Sequence, residues 1–179
     1  GAVNRYNPAT DSFEQIPFDL NLKGQGSGTY KALNDEAVWN IYEDKQGAIW
    51  IGTHGGGLSL YDQDTGTFTN YSHDRTKPTT ISNQLVWTTF EDSKNRFWVG
   101  TANGLDLFDR KTAIAQRFIA SDDDPNSLSN NSVLCIFEDS QNRLWFGTDW
   151  GLNLLNDDNI SFTVYGNNEK FVDNGIRSI

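Results

Sequence analysis

The chain has 179 residues and a formal net charge of −10. Nucleic acids and anionic membrane surfaces bind to basic faces, so this charge argues against both as partners. The single cysteine, Cys135, excludes an intrachain disulfide, and we expect it to be a buried, unreactive residue of an inner strand.

The chain opens with part of a repeat unit. Residues 3–16 share their pattern of apolar and turn residues with 58–71, which predicts that 1–16 is the end of a preceding unit. The connection that follows, 17–31, is longer than the later connections and contains Gly-Gln-Gly-Ser-Gly at 24–28. It is expected to be a mobile loop or a place where the native chain was altered.

The same segment then occurs three times. It reads EDKQGAIWIGT at 43–53, EDSKNRFWVGT at 91–101 and EDSQNRLWFGT at 138–148. The residues shared by all copies include an aspartate, a tryptophan and a glycine, namely Asp44, Asp92, Asp139, Trp50, Trp98, Trp145, Gly52, Gly100 and Gly147. A fixed period of 47 to 48 residues marks a repeat architecture, in which each unit buries its apolar face against its neighbours.

The middle copy shows what one unit contains. Runs rich in β-branched, aromatic and alternating apolar residues predict four short strands, at 85–90, 97–101, 105–109 and 115–119. In the first turn, Asn95 occupies a position that needs a positive φ, and the other copies have Gly47 and Asn142 there. Four antiparallel strands per unit are typical of a β-propeller blade, whereas helical repeats would need a 3.6-residue pattern that is absent.

The period predicts the domain organisation. Complete blades are expected at 33–72, 81–120 and 128–165, and 173–179 matches the start of a following blade. Propellers close with roughly four to eight blades, and the chain lacks methionine altogether. The sequence therefore predicts an all-β piece of a longer propeller protein, with three complete four-stranded blades and partial blades at both ends.

The shared residues have an expected structural role. The tryptophans are predicted to pack between blades, the glycines to allow close backbone approach, and the aspartates to accept hydrogen bonds from the following turn. Catalysis needs one asymmetric site and not three copies of it, so no catalytic residue is predicted among them.

The turn after the second strand differs between blades and supplies the candidate ligand-binding residues. It carries His54 in the first blade, Asn103 in the second, and Asp149 with Trp150 in the third. Loops on one face of a repeat array commonly bind ligands, and an exposed indole beside polar groups suits a sugar. Trp150 could equally cover the neighbouring blade. Trp39 and Trp87 lie in first strands and are expected to be core residues.

No metal or cofactor is predicted. The Asp-Asp-Asp run at 122–124 lacks the alternating spacing and the glycine of a calcium loop. His54 and His73 have no suitably spaced further ligands for zinc.

The repeated unit resembles the two-component regulator propeller repeat, and the stretches 43–62, 91–109 and 138–156 carry the resemblance. The resemblance implies the periplasmic sensor region of a hybrid histidine kinase of the Bacteroidetes type. It further implies oligosaccharide ligands, control of carbohydrate-utilisation genes, and contacts with the remaining blades and a following sensor domain of the same protein. The repeat motif is structural, so it assigns no ligand residue.

Two other functions stay open. A sialidase-like or lyase-like propeller could act on glycans, although the spacing from Asp44 to Gly47 is one residue longer than in the sialidase Asp-box. A protein-interaction scaffold is the other alternative. Uncovered blade faces and unpaired strand edges also predict self-association of this chain.

Overall fold

The computed structural model describes residues 3–166 and 175–179, and within these ranges the fold is all-β apart from one short 3₁₀ turn. The chain begins with an antiparallel hairpin of β1 (Asn4–Asn7) and β2 (Ser12–Gln15). It forms a separate two-stranded sheet, and Ile16, which follows β2, packs with Ile51 and Phe68 of the first complete blade.

Three larger antiparallel sheets follow. The first blade contains β4 (Val38–Glu43), β5 (Ile49–Thr53), β6 (Leu58–Asp62) and β7 (Thr67–Tyr71). The second contains β8 (Val86–Glu91), β9 (Phe97–Thr101), β10 (Gly104–Asp109) and β11 (Ile114–Phe118). The third contains β12 (Val133–Glu138), β13 (Leu144–Thr148), β14 (Gly151–Leu155) and β15 (Phe162–Tyr165).

The connection at 17–31 differs from expectation. It contains the 3₁₀ turn Leu20–Leu22 and a further strand, β3 (Gly28–Tyr30), which pairs with the outer strand β7. The first blade is therefore five-stranded, and the prediction of a mobile loop is wrong for this part of the connection. Backbone pairing of Gly28 with Asn70 accounts for the order, although the glycine-rich sequence carries little strand propensity.

The blades are arranged radially. The first strands β4, β8 and β12 contact one another from blade to blade, so they are the innermost strands and converge beside one axis. This arrangement confirms the predicted β-propeller architecture. The turn prediction is confirmed as well, because Asn95, Asn142 and Gly47 have φ values of 61°, 59° and 80°.

The core lies between successive blades. Trp50 packs against Phe97 of the next blade, with ring centroids 4.8 Å apart, and Trp98 packs against Phe146 in the same way at 5.4 Å. Both tryptophans are buried, whereas Trp145 in the third blade is half-buried. Aromatic rings of this size bury the largest apolar areas available to a blade, so these contacts join neighbouring units.

The shared glycines lie where successive blades approach most closely. A Cβ on Gly52 would lie 2.8 Å from Val86 Cγ1, and a Cβ on Gly100 would lie 2.7 Å from the Val133 carbonyl oxygen. A Cβ on Gly147 would lie 2.5 Å from the carbonyl oxygen of Ile176. Ile176 also donates its N–H to the Thr148 carbonyl oxygen. Ile176 belongs to the stretch 173–179, which the sequence predicts to start a following blade; residues 173 and 174 of that stretch lie outside the described residues.

Cys135 lies beside this contact. It is half-buried, its Sγ donates to the Ile176 carbonyl oxygen at 3.3 Å, and desolvation raises the pKa of its thiol. A raised thiol pKa keeps the side chain in its unreactive protonated form.

Each first strand carries a β-bulge opposite its glycine. In β4, Val38 pairs with Thr53 and Asn40 pairs with Gly52, which leaves Trp39 as the extra residue. Trp87 in β8 and Leu134 in β12 occupy the same extra position. A bulge redirects the side chain that it carries. The prediction that Trp39 and Trp87 are core residues is therefore wrong: Trp39 is 54% exposed and Trp87 is half-buried.

In the part of the chain that the structure describes, no helix has the length and apolar character needed to cross a membrane.

Candidate ligand-binding face

The turns after the second strands are each closed by a threonine hydrogen bond, although the first turn is one residue longer than the other two. The hydroxyl of Thr53 donates to the Gly57 carbonyl at 3.1 Å, Thr101 donates to Gly104 at 2.9 Å, and Thr148 donates to Gly151 at 3.0 Å. Because the same bond closes the turn in every blade, the backbone of this face is set by the repeat. The side chains that the turns display are free to differ.

All four residues predicted as ligand-binding lie on these turns and are exposed: His54, Asn103, Asp149 and Trp150. Trp150 is 57% exposed, so it does not cover a neighbouring blade within the described residues. The backbone N–H groups of His54 and Asp149 donate to the Ala37 and Ser132 carbonyls, which hold each turn to the start of its own first strand. Among the described residues, no hydrogen bond joins the four side chains to one another, and they are distributed over three blades.

An aromatic pair, Trp39 and Trp87, lies beside His54 and not in the core. The rings of Trp39 and Trp87 meet edge to face at 4.9 Å with an interplanar angle of 68°, and the His54 ring is 6.2 Å from Trp39. The indole Nε1 of Trp87 is buried without a hydrogen-bond partner. The sequence does carry a signal for this site: Val38, Val86 and Val133 are constant, whereas the next residue changes from tryptophan to leucine in the third blade.

The long first connection covers the turn of the first blade. The buried side chain of Asn34 donates from Nδ2 to the Gly56 carbonyl at 2.7 Å, and Lys23 Nζ lies 2.9 Å from Asp35 Oδ2. Desolvation opposes ionisation of Asp35, but the Ala37 N–H and the Lys23 ammonium lower its pKa below the ordinary value. This packing leaves His54 exposed while the glycines beside it are covered.

A buried carboxylate, that of Asp106, lies close to the variable turn of the second blade, to which Ser82 connects it. Asp106 Oδ2 accepts from the Ser82 N–H at 2.6 Å and from the Ser82 hydroxyl at 2.8 Å, and Arg117 Nε lies 3.9 Å from Oδ1. Desolvation raises the pKa of Asp106 to about 6, against the opposing effects of Ser82 and Arg117. In the third blade Asn153 accepts from the Ser129 N–H at 2.8 Å, so the same backbone anchor exists there without the charge.

The shared aspartates lie near the first turn of each blade and hold the shared tryptophans. The indole Nε1 atoms of Trp50, Trp98 and Trp145 donate to Oδ2 of the aspartate six residues earlier at 2.9, 3.0 and 2.9 Å. The other carboxylate oxygen accepts two backbone N–H groups of the following turn, as with Gln46 and Ala48 on Asp44. These hydrogen bonds and the Arg143 guanidinium outweigh desolvation and lower the pKa of Asp139. Each of these acids is therefore held by hydrogen bonds within the fold.

Among residues 3–166 and 175–179, no group of His, Cys, Asp and Glu side chains has the geometry to hold a metal ion. The exposed groups of the face are an imidazole, an amide, a carboxylate and indole rings. These groups can hydrogen-bond to hydroxyls and pack against an apolar ring face, which is the chemistry of non-covalent recognition.

The family model described as "Two component regulator propeller" matches residues 32–55, 80–103 and 127–150. Each match runs from the connection through the first two strands of a blade to the variable turn. No curated protein matches the sequence.

Solved structures resemble the chain over most of its length. The extracellular domain of the hybrid two component system BT3049 from B. thetaiotaomicron has a TM-score of 0.69 and 26% identity, over 89% of this chain and 20% of that one. The extracellular domain of BT4673 from the same organism has a TM-score of 0.62 and 26% identity, over 90% of this chain and 19% of that one. The chain thus spans about a fifth of the length of these domains.

A streptogramin B lyase structure is also similar, with a TM-score of 0.60 and 15% identity, over 92% of this chain and 47% of that one. At this identity the likeness concerns the fold alone. Each matched repeat lies in a different one of the three blades, and the solved structures at 26% identity are extracellular domains of hybrid two component systems. Three segments of the chain therefore match the two-component regulator propeller repeat.

Proposed function

We propose that the chain is a ligand-sensing, extracytoplasmic propeller module of a two-component signalling protein, and that it responds to oligosaccharides. The observation that carries the proposal is the contrast within the repeat. A threonine hydrogen bond closes each variable turn, while the displayed residues change from His54 to Asn103 and to Asp149 with Trp150. Structure alone explains the constant frame, and ligand recognition explains the variation.

The proposed location is the periplasm, with signalling output to carbohydrate-utilisation genes. The likeness to extracellular domains of hybrid two component systems supports a position outside the cytoplasm. In that setting the other blades and a following sensor domain of the same protein would be the partners of this chain.

The proposal assigns binding and no bond-breaking step to this chain. Its repeated acids Asp44, Asp92 and Asp139 are each held by an indole N–H and a turn, and none of them stands free beside a base. A ligand that prefers one arrangement of the blades and the following module shifts the population toward it, which is sufficient for signalling. The glycan-active enzyme and the scaffold are the competing functions.

The test is titration calorimetry of the chain with a panel of neutral and acidic oligosaccharides, repeated with Asp149→Ala and Trp150→Ala. Binding of a panel sugar that both substitutions weaken, with unchanged melting temperatures, supports the proposal. Binding that neither substitution alters would remove the variable turn of the third blade from the site. Hydrolysis or elimination of a panel glycan would favour the enzyme instead.

A further inference from the structure

We propose that Trp39, Trp87 and His54 form the principal contact for the ligand, an aromatic platform beside the propeller axis that takes one ring of a neutral sugar. This inference rests on the proposed function and adds to it the ligand class and the residues that contact the ligand.

The geometry of the bulge is the first support. Trp39 and Trp87 are the extra residues of the bulges in the innermost strands β4 and β8, so neither can lie in the regular pleat that packs one blade on another. Trp39 is 54% exposed although its neighbour Val38 packs against the core of the first blade. Exposure of an indole at that level costs hydrophobic stabilisation, which a binding role would explain.

The third blade supplies an internal control. Leu134 occupies the same bulge position with the same flanking register, Val133 to Thr148 and Cys135 to Gly147. The bulge therefore does not require tryptophan. Two adjacent tryptophans are present on the side of the axis where His54 lies, which makes the aromatic surface local to the first two blades.

The platform also offers polar groups to a sugar. The Nε1 of Trp87 is buried and has no hydrogen-bond partner in the described structure, and a buried donor without a partner is costly. The exposed Trp39 ring can contact the apolar face of the sugar, and the Trp87 ring supports it edge to face. The exposed imidazole of His54, 6.2 Å from the Trp39 ring, can serve as a donor or an acceptor to a further hydroxyl.

Charge selects a neutral ligand over an acidic one. The chain carries a net charge of −10, which disfavours the approach of a uronate or a sulfated sugar. Two cations of the first two blades are paired with acids: Lys23 lies 2.9 Å from Asp35, and Arg117 lies 3.9 Å from the buried Asp106. Bidentate recognition of a carboxylate needs a free guanidinium, and neither of these cations provides one.

The experiment is calorimetry on the whole chain with named probes. The neutral probes are cellotetraose, mannotetraose, xylotetraose and fully methyl-esterified tetragalacturonate, and the acidic probe is tetragalacturonate. The variants are Trp39→Ala, Trp39→Leu, which copies the third blade, and the conservative Trp39→Phe. The matched control is Phe13→Ala, because Phe13 is 73% exposed and pairs with Tyr6 at 5.3 Å but lies on the outer hairpin β1–β2.

The expected result is that a neutral probe binds and that Trp39→Ala and Trp39→Leu each weaken it by at least about tenfold. Trp39→Phe should keep most of the affinity, and Phe13→Ala should keep all of it. All variants should melt with the parent, since Trp39 is exposed.

Three results would overturn the inference. Unchanged affinity in Trp39→Ala would remove the platform but would leave the sensing function in place, provided that Asp149→Ala or Trp150→Ala weakens binding. Binding of tetragalacturonate but not of its methyl ester would refute the neutral ligand class alone. Failure of every probe to bind the parent chain up to about 10 mM would count against both this inference and the proposed oligosaccharide sensing.

Discussion

The guanidinium of Arg110 in the second blade lies 2.7 Å from the Asp44 carboxylate of the first blade. Its other nitrogen lies 2.7 Å from Glu91, so one cation joins two nearly buried acids of neighbouring units. In the second and third blades the shared aspartate is paired within its own turn, by Arg96 at 2.6 Å and by Arg143 at 2.7 Å. The first blade has Ala48 at the position of these arginines, and Arg110 of the second blade supplies the cation that pairs with Asp44.

Arg110→Ala should destabilise the fold by about 1–3 kcal/mol, because it leaves Asp44 and Glu91 buried without their cation. Urea denaturation of parent and variant measures the loss. The matched control is Arg5→Ala, which removes the exposed Arg5–Glu14 pair and should leave the free energy of unfolding nearly unchanged. Equal effects of the two substitutions would show that the ion pairs of Arg110 contribute no more to stability than an exposed ion pair does.

The same pair predicts an acid sensitivity. Desolvation opposes ionisation of Asp44 and Glu91, but hydrogen bonds to Trp50, Arg110 and turn N–H groups lower both pKa values. A carboxyl with a lowered folded pKa stabilises the fold at neutral pH and loses that contribution as the pH falls. The parent should therefore lose stability between neutral and strongly acidic pH more steeply than Arg110→Ala in urea titrations. Parallel profiles would contradict this.

Asp106 should act in the opposite direction. Its pKa is raised to about 6, so the folded state holds the proton more tightly than the unfolded state does. Its contribution is full below about pH 4 and is lost as the pH rises through about 6. Asp106→Asn, which copies Asn153 of the third blade, should gain on the order of 2–3 kcal/mol relative to the parent between these limits.

The measurement is the difference in unfolding free energy between parent and Asp106→Asn at a series of pH values. The reciprocal variant Asn153→Asp should show a second loss of stability over the same range. A difference that does not change with pH would mean that Asp106 titrates normally.

Trp98→Ala should cost on the order of 3–5 kcal/mol, because the ring is fully buried between Phe118 of its own blade and Phe146 of the next. Trp150→Ala, which removes an exposed indole, should change the free energy of unfolding by less than about 0.5 kcal/mol. Thermal and urea unfolding give both values. A melting temperature unchanged by Trp98→Ala would show that the shared tryptophans do not hold the blades together.

Self-association of the chain stays a prediction. Ile41 is 53% exposed on the first strand of the first blade, and β4 leaves one edge unpaired within the described sheets. Apolar faces and open edges of this kind favour association. Light scattering at rising concentration should show dimers or larger species, and Ile41→Lys should reduce them. A monomer at every concentration would contradict the prediction.

Much of the fold could be predicted because the three copies of the repeat can be compared with one another. The predicted strand 97–101 is the observed Phe97–Thr101, and the predicted 115–119 differs by one residue from Ile114–Phe118. The positive φ of Asn95 followed from the residue types at the same position of the other copies. Local propensity and tertiary packing agree at these positions, so the sequence alone was sufficient.

The features that could not be predicted depend on pairing between distant residues. Strand β3 exists because Gly28 to Tyr30 pair with Phe68 to Asn70, which no local pattern in a glycine-rich stretch reveals. Trp39 is expected in the core because it lies in a first strand, and the bulge that exposes it is visible only in the register with β5. Arg110 likewise finds Asp44 across a blade boundary, 66 residues away.

The six tryptophans allow the most direct test of the central claim, that the variable face binds the ligand. Each indole N–H gives its own signal in a nitrogen–proton correlation spectrum, and three of them, Trp50, Trp98 and Trp145, are hydrogen-bonded to aspartates. Titration with an oligosaccharide that binds in calorimetry should shift the signals of Trp39, Trp87 and Trp150 and leave those three in place. Shifts confined to Trp50, Trp98 and Trp145, or no indole shift on saturation, would contradict the account.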